Sequence, residues 1–220
     1  IYCGINNLFG EVQWFYPTST SNVNDRSVVY SYLDSTVDRP IWFTNASTIF
    51  KRTTWADSAV FGLPHATFYD ADTDTSFDVT GNSDGVTYYY EHETGVNQVK
   101  IGTTAAIPAN ITSGDFDITQ DQRQGITFRG DGEYIMRISR FLPDFISQAG
   151  TTNIQLDLRN FPNQSTTSSS LGPFAITSST NYTSCRARAR SVALTVSNTA
   201  VDSNWKFGTF RLDVHAGGRR

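Results

Sequence analysis

The chain has 220 residues, with 17 Lys and Arg against 21 Asp and Glu for a formal net charge of −4; it is long enough to bury a real core, as one large β domain or two small ones. Charged residues make up only 17%, there is one Met, and Thr, Ser, Tyr, Phe and Asp dominate, the usage of an all-β protein with a hydroxyl-rich surface. No run of about 18 apolar residues exists, which excludes a membrane-spanning helix, and the acidic balance argues against a nucleic-acid-binding module, which is usually basic.

The opening, Ile1-Tyr2-Cys3-Gly4, has neither the basic flank nor the apolar stretch of a signal peptide. It lacks an initiating Met and already reads as strand, which points to a piece of a longer polypeptide or a processed product. Cys3 and Cys185 lie near opposite ends. A single pair in a chain of this size reads as two buried free thiols, with a disulfide closing a very long loop as the alternative. The sequons at Asn45, Asn110, Asn163 and Asn181 arise by chance in a chain this rich in Asn, Ser and Thr.

Residues 11–16 (EVQWFY) alternate until Pro17, and 26–33 (RSVVYSYL) alternate again after a polar loop, so the two read as a hairpin. Short strands follow at 40–43 and 51–55. The apolar run 60–69 contains Pro64 and reads as an edge strand or an irregular segment. Residues 70–85 form an acidic, turn-rich loop. Asp70, Asp72 and Asp74 have the spacing of a calcium loop, but Thr75 and Gly81 stand where glycine and a bidentate glutamate belong, so an EF-hand is rejected.

Residues 86–93 (VTYYYEHE) read as a strand. On it Glu91 and Glu93 share one face and His92 the other, so the three do not converge on a metal or a proton. The consecutive tyrosines put at least one ring on each face, for core packing on one side and an interface on the other. Strands are expected at 115–118, 126–129, 134–141 and 153–159, with turns at 122–125 and 129–132. The Ser/Thr tract 164–170 reads as an exposed loop, and the one helical candidate is a single turn at 143–148. No Walker loop, G-x-S-x-G or C-x-x-C is present, and no pair of carboxylates stands out. No cofactor, metal or catalytic residue is therefore assigned. Roughly ten to a dozen antiparallel strands suit propeller blades or a sandwich equally.

The C-terminal stretch 184–220 is set apart as a basic hairpin and arm packing on a β-rich body of residues 1–183. From Arg186 onward seven Lys and Arg face two Asp, a net of +5, so the preceding residues carry −9. Arg186, Arg188 and Arg190 alternate with Ala187, Ala189 and Ser191, and the even positions continue as Val192, Leu194 and Val196. Read as one strand, this puts three arginines on one side about 7 Å apart. They repel unless anionic groups face them, which marks an assembly strand; the plainer reading is an edge whose arginines keep it soluble. A second strand carries Trp205, Phe207, Phe210, Leu212 and Val214, with a bulge expected at Gly208. Arg211 joins the candidate interface, and Gly217, Gly218, Arg219 and Arg220 read as a flexible arm bearing two charges.

The ordered phrases EVQWFYP, SVVYSYL, KRTTW, YYYEHETG and R-x-R-x-R…WKFGTFRLDV…GGRR resemble the tail nozzle proteins of short-tailed bacteriophages, also called tubular tail or packaged-DNA-stabilisation proteins. The likeness runs from near Cys3 to Arg220 and corresponds to the C-terminal part of those longer proteins. It implies a propeller-rich fold, a virion location in the tail, and a ring of six copies beneath the portal and adaptor. It further implies a channel for DNA, read without sequence recognition, attachment of tail fibres, and no catalysis. A conduit lined with many cations would hold phosphates and stall DNA, so an acidic body suits passage. The competing expectation is a tail protein that binds or depolymerises host-surface carbohydrate, since propellers and sandwiches host both and the chain is rich in Tyr and Trp.

Overall fold

A computed structural model describes residues 1–45, 51–70, 86–100, 102–121, 125–127, 132–161, 167 and 169–219. The described chain is all-β, with twenty strands, all paired antiparallel, and a single helical turn. It divides into two compact units, Ile1–Gly95 and Val96–Arg220.

In the first unit, β1 (Tyr2–Asn6), β2 (Glu11–Tyr16), β3 (Arg26–Thr36) and β4 (Arg39–Asn45) form a meander in that spatial order. Alternation decides which side is buried: Ser27, Val29 and Ser31 turn inward with Phe15, while Val28 and Tyr30 turn outward. Pro40 sits in β4, the marginal strand, where a missing N–H costs the ladder least. After β5 (Thr54–Ala56) and the helical turn α1 (Ser58–Phe61) come β6 (His65–Asp70) and β7 (Val86–Glu91), a three-stranded sheet in order β5-β6-β7. Trp55 joins it to the meander. Its indole lies over Gly4, where an added Cβ would meet Trp55 Cδ1 at 2.3 Å, and its Nε1 donates to the Ile5 carbonyl at 2.9 Å. Phe15, Trp55 and Ala66 make the small core.

The second unit contains β8 (Asn97–Lys100), β9 (Thr103–Ala106), β10 (Ala109–Thr112), β11 (Thr119–Asp121), β12 (Gly125–Thr127), β13 (Tyr134–Leu142), β14 (Phe145–Ala149) and β15 (Thr152–Arg159). These are followed by β16 (Ser169–Ile176), β17 (Thr183–Ala189), β18 (Ser191–Asn198), β19 (Asn204–Phe207) and β20 (Arg211–Arg219). A four-stranded sheet β10-β18-β15-β16 and a three-stranded sheet β17-β13-β20 supply one shared core. Met136, Ile138 and Phe141 come from β13, Ile154, Leu156 and Leu158 from β15, Ile176 from β16, Cys185, Ala187 and Ala189 from β17, and Val192, Leu194 and Val196 from β18. Two layers with their inner faces meeting in this way pack as a sandwich.

Several local expectations are corrected. The run 186–196 is two strands, not one: the chain bends at Arg190, and β17 and β18 enter different sheets. That bend explains the parity, since odd residues 185–189 and even residues 192–196 all point into the same core. Nor do 184–220 form a hairpin of their own, because β17 and β20 flank β13 while β19 pairs with β14. Gly208 is a corner rather than a bulge: its N–H donates to the Asp144 carbonyl at 2.8 Å, so close that a Cβ would lie 2.6 Å from that oxygen.

Gly217 and Gly218 are not a flexible arm. They belong to β20, whose register against β13 shifts between Tyr134 and Met136, and Gly218 takes φ +98° there. Residues 143–148 contribute to β14 instead of a helical turn, and among the described residues the one turn of helix is α1. Pro64 precedes β6, which is central in its sheet, so it does not interrupt the ladder. Ser169 and Ser170, the end of the 164–170 tract expected as an exposed loop, instead open β16, while residues 164–166 and 168 lie outside the described residues. Residues 115–118 make an isolated bridge, Phe116 to Val192, instead of a strand. Asp72 and Asp74, and most of the turns expected at 122–125 and 129–132, lie outside the described residues. Both thiols are free, with Cys185 buried and Cys3 exposed.

Candidate functional site: a cationic sheet face

The outer face of the three-stranded sheet in the second unit follows from period-two alternation. On β17, Cys185, Ala187 and Ala189 are 7%, 3% and 1% exposed, and Arg186 and Arg188 between them stand in solvent. On β13, Met136 and Ile138 are buried, which places Arg137 and Ser139 outward. The register sets Arg188 opposite Arg137, and Arg137 opposite His215 of β20. A row of Arg188, Arg137 and His215 thus crosses the sheet at the strand spacing of about 4.8 Å, with Arg186 two residues along β17.

Arg137, Arg186, Arg188 and His215, together with Leu171 and Phe174 of β16, line an open groove of about 1050 Å³. Among the described residues, none of these three arginines forms an ion pair with a carboxylate. Their neighbours are otherwise engaged. Arg140 pairs with Asp213 and lies over the Tyr182 ring at 5.6 Å.

The other expected interface residues fall elsewhere. Arg190 does not share the face of Arg186 and Arg188: it sits at the bend, and its Nη1 donates to the carbonyls of Gly132 at 2.9 Å and Glu133 at 3.0 Å. Its charge is spent holding the sheet crossover. Arg211 pairs with Asp144 at 3.1 Å. Arg219 ends β20 opposite Tyr134, and Arg220 lies outside the described residues. Arg137 and His215 were not singled out from sequence, although the alternation of IMRIS, with arginine between two buried positions, carried the signal for the first.

The first unit has two further features. Trp14, Tyr30 and Trp42 lie on neighbouring strands of the meander, with ring centroids 6.0 Å apart for Trp14–Trp42 and 4.7 Å for Tyr30–Trp42, and Trp42 is 52% exposed. Beside the β5-β6-β7 sheet, His92 is held neutral. Arg52 Nε donates to its Nε2 at 2.9 Å, Trp55 packs on its ring at 4.7 Å, and burial, followed by the Arg52 charge, lowers its pKa to about 3. Glu91 ends β7 and Glu93 adopts φ +63°, accepting a hydrogen bond from Asn6 Nδ2 at 3.1 Å. His92 faces Arg52 rather than either glutamate. Among the described residues, no group of three or more His, Cys, Asp or Glu side chains is placed to hold a metal ion.

The sequence matches no protein-family model, and no curated protein is significantly similar to it.

Proposed function

We propose that the chain is a structural, non-catalytic assembly subunit that docks an acidic protein surface on its cationic sheet face, as a tail nozzle component of a short-tailed bacteriophage would. The observation that carries this reading is the set of exposed arginines at 137, 186 and 188, two of them directly opposite, without a carboxylate partner among the described residues. Like charges in that position cost stability in the isolated chain, and a partner's carboxylates would convert the cost into charge-assisted, bidentate hydrogen bonds.

The resemblance of the ordered phrases to tail nozzle proteins supplies the context: six copies in a ring below the portal and adaptor, fibres attached outside, and DNA passing through the bore without being read. Imaging of the purified assembly tests it. A six-fold ring with an axial hole that is lost when Arg137, Arg186 and Arg188 are replaced by Gln supports the reading. Intact rings in that triple variant at high salt would remove the arginine face from assembly.

A second reading, a host-surface carbohydrate binder, is favoured by the ring cluster of Trp14, Tyr30 and Trp42, of which Trp42 is exposed and the other two are half-buried, since aromatic faces stack on sugar rings. Titration with host polysaccharide, followed by tryptophan fluorescence and by polymer length, distinguishes it. Neither a spectral change nor shortening would leave only the assembly role.

A further inference from the structure

Among the described residues, the groove lies beside an unpaired strand edge: β17 is marginal in its sheet and pairs with β13 alone. The margin of the facing sheet, β16, carries two devices against pairing: Pro173, which has no N–H, and a register shift near Gly172, which takes φ +114°. β17, with the sequence TSCRARA, has neither proline nor glycine. Its buried side chains, Cys185, Ala187 and Ala189, are small, and its exposed ones are Ser184, Arg186 and Arg188.

A strand laid along β17 would present its side chains alternately to two surroundings. Those of one parity would stand beside Arg186 and Arg188 on the outer face, within reach of cross-strand pairing. Those of the other parity would turn toward Leu171 and Phe174, which line the groove and are only partly buried. We infer that β17 accepts an extended peptide segment of a partner protein by β-strand addition, the segment alternating carboxylate with apolar side chains. This rests on the proposed assembly role and gives its partner a chemistry. A polynucleotide would engage the arginines but leave the apolar wall and the open backbone edge unmatched.

The test uses the full chain and a fluorescein-labelled decapeptide in which glutamate alternates with valine. Saturable binding by anisotropy at low salt is expected, with amide exchange slowed over 183–189 and unchanged over 169–176. The Arg186→Glu/Arg188→Glu double variant should lose at least tenfold in affinity and gain binding to the matching lysine–valine peptide, which also shows that the variant is folded. Equal binding by wild type and variant would overturn the inference, as would binding without protection of 183–189, or tighter binding of a single-stranded oligodeoxynucleotide of equal charge. Arginine-dependent rings with no peptide binding would sink the strand addition and spare the assembly role. Peptide binding by a protein that forms no ring would do the reverse.

Discussion

Arg52 is 4% exposed and still charged, with its pKa lowered by burial to about 10. Its guanidinium lies 4.0 Å from the Tyr90 ring centroid and donates through Nε to His92. The imidazole accepts that bond only while neutral. His92 therefore binds its proton in the unfolded chain, near its ordinary value of 6.5, and not in the folded one until about pH 3. A base whose folded pKa is depressed gives stability that is complete above pH 6.5 and is lost progressively as the pH falls toward 3. Glu11 and Glu93 act in the opposite sense, since burial raises both carboxyls and their neutral forms favour the folded state as the pH drops. We expect the denaturant midpoint to decline from pH 6.5 downward, and His92→Gln, whose amide oxygen accepts from Arg52 without titrating, to flatten that decline. An unchanged slope in the variant would assign the acid sensitivity elsewhere. Gly4 is the second residue with a sharp expectation: Gly4→Ala drives a methyl into the Trp55 ring, and overpacking of this kind costs about 1–3 kcal/mol, readable in the midpoint of urea unfolding.

At the scale of strands, the pairing of Arg137 with Arg188 sets function against stability. Like charges directly opposite on neighbouring strands oppose the fold by about 0.2–1 kcal/mol, so Arg188→Gln should raise the melting temperature of the isolated chain while weakening assembly. A fall in melting temperature would mean that the guanidinium is doing structural work within the chain. The alternation of single strands was legible in the sequence wherever one face is buried and the other wet. β3 and β15 read directly from their side chains, and the alternation of Arg186 and Arg188 with Ala187 and Ala189 is plain in β17, although the end of that strand is not. What period two does not encode is where a strand leaves one sheet for another. From Cys185 to Val196 the pattern runs on with one change of parity, and only the bend at Arg190 reveals two strands feeding one core from two layers. Gly208, Gly217 and Gly218 misled for a related reason. Glycine marks a close approach or a positive φ, but whether the approach is a corner against Asp144 or a register shift against Tyr134 depends on the partner strand, which is distant in sequence.

Over the whole chain, the two compact units have cores that share no residue: Phe15, Trp55 and Ala66 in one, and the sandwich-like cluster running from Ile118 to Val196 in the other. Among the described residues the first core is small for its length, and its joining element, Trp55, leans on the same His92 whose protonation opposes folding. The second buries aliphatic side chains from five strands and is expected to melt at the higher temperature, because buried apolar area sets the scale of stability. Heating should therefore give two transitions. Hydrogen exchange read by peptide would assign the lower to residues 1–95 and the upper to 96–220. Acidification from pH 7 to 5 should move the lower transition down, since His92, whose protonation opposes folding, belongs to the first unit. Arg186 and Arg188 sit in the second unit, so binding of the acidic peptide at β17 should raise only the upper transition. A single transition would show that the halves do not fold as separate cooperative units.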